Sequence, residues 1–125
     1  MRPRIEGTRF GSITVEGREF DFDLVIDLAG EVRKRRKKLS KKLYGTSHVL
    51  SRDEAEDVYQ QGADALIVGS GQQGVLELSP EAQEYFRERR CKVQVLPTPQ
   101  AAEAWNRASG KVIAAQGARF YDIGE

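Results

Sequence analysis

Asp64-Ala65-Leu66-Ile67-Val68-Gly69-Ser70-Gly71 decides the fold. Ala65 to Val68 run without a polar break and end on two β-branched side chains. An apolar run that short, closed by glycines, suits a strand buried on both faces. Such strands belong to parallel sheets covered by helices. The glycines then predict a sharp turn at the strand's carboxyl end, where open α/β sheets take their ligands.

Toward the carboxyl terminus the pattern alternates. Val75 to Leu78 is a short extended piece, and Ser79-Pro80-Glu81 starts a helix with proline at its first position. Ala82, Tyr85 and Phe86 form that helix's inner face. Cys91, Val93 and Val95 alternate through Cys91 to Leu96 and predict a second buried strand. Thr98-Pro99-Gln100 repeats the cap and proline, and Ala101, Ala104, Trp105 and Ala108 follow as an apolar stripe. Gly110 closes the helix before a last strand, Lys111 to Ala115. Right-handed crossovers make this βαβαβ unit parallel.

Toward the amino terminus the period changes to two. Ile5 to Val15 predicts one strand, Glu16-Gly17 a tight turn, and Arg18 to Asp27 the returning strand, with Phe20, Phe22, Leu24 and Ile26 on one face. That is half-buried antiparallel β. Ala29-Gly30 leads into a third strand at Glu31-Val32-Arg33, which continues into a charged loop. Gly45 to His48 is a turn. Ser51 opens a capping box with Glu54, Ala55, Val58 and Tyr59 line the helix that follows, and Gly62 stops it. The expectation is one α/β domain over 1–125, with amino-terminal antiparallel strands joined to the parallel unit.

Composition sets the outer bounds. With 39% hydrophobic and 31% charged residues the chain is globular in character, and no stretch approaches the roughly 20 apolar residues of a membrane span. The amino terminus lacks the apolar core of a secretory signal, and a single cysteine excludes an internal disulfide; the expected location is the cytoplasm. Net charge is +1 but uneven: 33–42 holds eight basic residues and no acid, leaving 12 basic against 19 acidic elsewhere. Such asymmetry marks either a solvated face or an arm for an anionic partner, formed by Arg33, Arg35, Arg36, Lys37, Lys38, Lys41 and Lys42. Without interleaved aromatics the run lacks the stacking platforms of a single-strand binder, so nucleic acid would be held by phosphate attraction alone.

Gly69, Gly71 and Gly74 match G-x-G-x-x-G, yet the next helix starts only near Pro80, too late to meet a pyrophosphate, so no dinucleotide cofactor is expected. The loop Gly69, Ser70, Gly71, Gln72 and Gln73 can instead present amides to a small anion. Thr98 reads as a helix cap that also faces the edge carrying Ser70, with Thr46 and His48 as candidate neighbours. His48, the sole histidine, is either a structural residue or an acid–base group; alone it cannot build a metal site. Cys91 reads as a small core residue, and Asn106 as exposed or bonded to the loop before the last strand.

Phe10-Gly11-Ser12-Ile13-Thr14-Val15, Gly45-Thr46-Ser47-His48, Leu66 to Gly71, and Val93 to Thr98 with Ala101 and Asn106 occur in that order. Together they resemble the small domain family that includes the adipogenesis-associated domain-containing protein and mitochondrial complex I assembly factor 3, with many bacterial and archaeal proteins. The likeness covers about 8–116. It implies a three-layer β/β/α sandwich and does not imply a reaction. One branch assists assembly of a respiratory complex, which implies protein binding. Some members end the last strand with a histidine and a nearby cysteine, where Gln116-Gly117 stands here. The expected function is a non-catalytic domain engaging a protein partner or small anion at the carboxyl edge of the parallel strands. The alternatives are an enzyme using His48, or salt-dependent nucleic-acid association through the basic run.

Overall fold

The computed structural model describes residues 2–9, 12–46, 48–71 and 76–116. In chain order its elements are β1 (Ile5–Arg9), β2 (Ser12–Val15), β3 (Arg18–Phe20), β4 (Leu24–Ile26), β5 (Val32–Lys34), α1 (Lys38–Tyr44), β6 (Val49–Leu50), α2 (Arg52–Val58), β7 (Ala65–Gly69), β8 (Glu77–Leu78), α3 (Pro80–Glu88), β9 (Lys92–Leu96), α4 (Thr98–Arg107) and β10 (Val112–Gln116).

The apolar run Ala65 to Val68 is where the sequence placed it. β7 lies inside a sheet of order β5-β4-β10-β7-β9, parallel to β9 on one side and to β10 on the other. Successive side chains of a strand point to opposite faces. Leu66 and Val68 therefore pack with Ala55, Val58, Ala82 and Phe86 from α2 and α3. Ile67 faces the other way, into a cluster with Ile5, Ile13, Phe20 and Trp105 from the sheet β1-β2-β3 and α4. The result is a three-layer α/β sandwich in which a mixed sheet is covered by helices on one face and by an antiparallel sheet plus α4 on the other. None of the helices among the described residues is long and apolar enough to cross a membrane.

Several expectations are revised. The single strand from Ile5 to Val15 is a β1–β2 pair, with Ile5 opposite Val15 and Arg9 opposite Ser12. Folding back lets the two halves satisfy each other's backbone groups. The returning strand Arg18 to Asp27 also divides. β3 pairs with β2, then the chain leaves that sheet at Asp21 to Asp23 and enters the central sheet as β4 beside β10. The loop expected within the basic run contains α1, which ends at Gly45 in the left-handed region (φ 72°) with its N–H on the Lys41 carbonyl. α2 stops at Val58, before Gly62. The second buried strand is an edge: among the described residues β9 pairs with β7 alone, and Val95 is 42% exposed.

Candidate functional site

At the carboxyl ends of the parallel strands, β7 ends on Gly69 and β10 on Gln116, side by side. Ser70 N donates to Leu96 O at 2.8 Å, Gly71 N to Thr98 Oγ1 at 3.0 Å, and Thr98 N to Gly71 O at 3.1 Å. Thr98 Oγ1 in turn donates to Gln116 Oε1 at 3.2 Å. Gly69, Ser70, Gly71 and Thr98 are thus brought together, but all four are buried. The described amides of the turn already have protein acceptors, so they offer no cradle to an anion. Thr98 is not a helix cap either: α4 has no side-chain cap, because this hydroxyl serves the glycine turn. Gln72 and Gln73 lie outside the described residues.

Gly69 is closely approached by two side chains. A Cβ there would come to 2.6 Å of Gln116 Oε1 and 3.2 Å of Thr98 Oγ1. Gly69→Ala is expected to cost about 1–3 kcal/mol as overpacking. Urea midpoints check this, and adding Gln116→Ala to the same chain should recover part of the loss.

Thr46 and His48 sit next to this turn through two consecutive amides: Leu76 N donates to Ser70 O and Glu77 N to His48 O, both at 3.1 Å. Thr46 Oγ1 accepts from His48 N at 3.1 Å, a local turn bond. His48 Nε2 is buried and has no hydrogen-bond partner among the described residues. A general base needs an orienting partner and a reacting group in reach, and neither is bonded to this ring among them.

The basic run turns out to be the counterpart of the acids on α2. Arg33 and Arg36 pair with Asp57 at 2.9 and 3.3 Å, Lys42 pairs with Asp53 at 3.7 Å, and Lys37 lies 3.9 Å from Asp23. Arg35 is withdrawn from the arm altogether. Its side chain is fully buried, its Nε and Nη2 donate to Glu54, and its Nη1 lies 3.5 Å from Asp23. Ser40 Oγ is a further donor to Glu54. The Ser51 half of the capping box forms, with Glu54 N on Ser51 Oγ at 3.2 Å; the other half is absent, because the Glu54 carboxylate turns inward to Arg35. A groove of about 610 Å³ remains beside α1, lined by Phe22, Lys34, Arg36, Lys37, Lys38 and Lys41. Lys34 stands over the Phe22 ring at 5.5 Å.

A larger groove, about 840 Å³, was not anticipated and follows from β9 being an edge. Lys92 N donates to Asp64 O, and Leu96 O accepts from Ser70 N. In a parallel ladder alternate residues face the same neighbour, so Val93 and Val95 turn their backbone N–H and C=O outward. Cys91, Val93 and Val95 make the floor; Pro80, Gln83 and Arg87, on one flank of α3, make a wall. Cys91 is buried, and its thiol is pushed up to about 11, first by burial and then by the charge of Asp64. Little thiolate exists near neutral pH, so Cys91 is part of the floor and no nucleophile. The alternation Cys91-Val93-Val95 was the only sequence signal for this site, and it looks the same for an interior strand as for an edge. Asn106 also has an unforeseen place: its amide bonds Ile5 N and O at 2.9 and 2.8 Å, fastening α4 to β1.

The model of a protein family of unknown function (DUF498/DUF598) matches residues 5–116. The crystal structure of the conserved hypothetical protein PH1505 from Pyrococcus horikoshii OT3 is 34% identical over 93% of this chain and 98% of that one, with a TM-score of 0.86. A structure named MT938 is 33% identical over 94% and 98% of the two chains, with a TM-score of 0.80. The solution structure of a Bordetella pertussis protein, described as a Mth938-like domain, is 15% identical over 95% and 89%, with a TM-score of 0.68, a likeness of fold alone. The match over 5–116 and these relatives agree with the sandwich, and the chain belongs to the DUF498/DUF598 family of proteins of unknown function.

Proposed function

We propose that this chain is a non-catalytic binding domain that takes an extended segment of a partner protein as an added strand along β9. The supporting observation is the edge itself, which has no second strand partner among the described residues. Outward-facing N–H and C=O groups at Val93 and Val95 stand over an apolar floor, beside a helix wall. Strand addition draws affinity from main-chain hydrogen bonds and specificity from alternate side chains. Native edges are usually shielded by a bulge or a covering element, whereas this one carries an exposed valine. The groove reaches the carboxyl edge of the sheet at Val95 and Glu77, which moves the expected binding face outward from the buried glycine turn. A resemblance to a family with an assembly-assisting branch points the same way.

Val95→Pro tests the reading. The Val95 N–H takes no part in the ladder with β7, so proline is tolerated at this edge position while one outward donor is lost. Binders selected from a displayed peptide library should shift the Val93 and Val95 amide resonances and weaken more than about tenfold on the variant, the scale of a lost main-chain bond plus misfit. Selected peptides that perturb only other faces, or bind the variant equally well, overturn the proposal.

The groove beside α1 favours a second reading, a small anion held near Phe22, Lys34 and Lys38, where neither lysine has an ion pair among the described residues. Inorganic phosphate should shift the Lys34 and Lys38 amides in a salt-sensitive way; unshifted amides at millimolar phosphate dismiss it.

A further inference from the structure

We infer that the segment accepted along β9 is acidic and that Arg90 is the residue that reads its charge; this rests on the strand-addition reading above. The inference starts from how α3 ends. Arg89 N donates to Phe86 O, Arg90 N to Arg87 O, and Cys91 N returns to Phe86 O at 3.0 Å. This closing turn places Arg90 in the left-handed region, with φ 56°. Glycine is the residue that suits such a helix stop, since a Cβ there crowds the neighbouring carbonyl. An arginine in that conformation calls for a use outside the turn. Complementing the carbonyl end of the helix is not a sufficient one, because Arg87 and Arg89 already stand there.

Arg90 lines the amino-terminal mouth of the groove with Arg87 and Lys92, and Glu77 is the one acid among the lining residues. Arg90 and Lys92 have no ion pair among the described residues, and Arg87 shares an exposed contact with Glu84 at 2.8 Å, which a better partner can displace. Three cations at one end of a slot with an apolar floor fit an extended chain whose carboxylates fall at that end. A second copy of this chain fits less well, since pairing β9 with β9 brings one acid per groove against three cations.

Two strand-forming peptides of alternating valine and threonine, one ending in glutamates and its twin in glutamines, separate the outcomes. By fluorescence anisotropy the glutamate peptide should bind about tenfold tighter at low salt, and the preference should collapse at high salt. Arg90→Gly should erase the preference while raising the urea midpoint, because the turn relaxes; Arg90→Lys should keep most of it. Equal binding of the twins to the unaltered protein overturns the charge inference and leaves strand addition standing. A preference that survives Arg90→Gly removes Arg90 from the role. Failure of both peptides to bind sinks strand addition itself, and so does a concentration-dependent dimer that masks β9.

Discussion

A Glu54→Leu variant is expected to lose about 3–5 kcal/mol of stability, the scale for breaking a buried ion pair from one side. Glu54 is fully buried and accepts from Arg35 and Ser40. Removing its carboxylate takes the closest acid from a guanidinium whose side chain has no exposed surface and leaves Asp23, at 3.5 Å, as the longer contact. Salt screens exposed pairs far more than buried ones, so the loss should persist at high ionic strength. Arg35→Leu combined with Glu54→Leu should recover a large part of it, since an apolar replacement of both partners removes the orphaned charge. Recovery is incomplete because Asp23 then loses its contact with the Arg35 guanidinium. Urea denaturation of the two single variants and the double variant measures the coupling. A Glu54→Leu midpoint close to the parent's would show that the pair contributes little.

Trp105→Ala comes second, at about 3–5 kcal/mol, the range for emptying a large aromatic site. Trp105 is fully buried at the centre of the cluster between α4 and the amino-terminal sheet, and its Nε1 donates to Pro3 O at 2.7 Å. The Arg2 guanidinium lies over its ring at 5.2 Å. The loss should be felt unevenly. Amide exchange should quicken along β1 to β3, while β7, shielded on its other face by α2 and α3, stays protected longest. Trp105→Phe should cost less, and Asn106→Ala should reproduce the β1 loosening alone, through its two bonds to Ile5. Uniform exchange across both sheets in Trp105→Ala would contradict this division.

Much of the parallel half was legible because its signals are local. Ser79-Pro80 and the stripes on α3 and α4 define those helices within a few residues, and Ala65 to Val68 needs no context to read as an interior strand. The antiparallel half was less so. Phe20 to Ile26 keeps its alternation while the backbone crosses from one sheet to another at Asp23, a corner decided by Arg35 far along the chain. The charge imbalance of 33–42 read as a solvated face or an arm for an outside partner, since the acids that answer it lie on α2 and only folding brings them near. Parallel topology predicted correctly that Ser70 and Thr98 share an end of the sheet. Pattern alone said nothing of whether their polar groups face solvent or each other, and they face each other. β9 was misplaced for a related reason: strand order is a property of the whole sheet, and an edge is visible only once every neighbour is known.

The position of β10 has a temporal consequence. The last described strand is inserted between β4 and β7, and Ala114 meets Ile26 on one side and Ile67 on the other. A ribosome releases these partners before their common neighbour, so the nascent chain holds two apolar strands that each lack one flank until β10 emerges. Loss of β10 should therefore leave the pairs β5–β4 and β7–β9 unjoined, with apolar flanks that stick to chaperones.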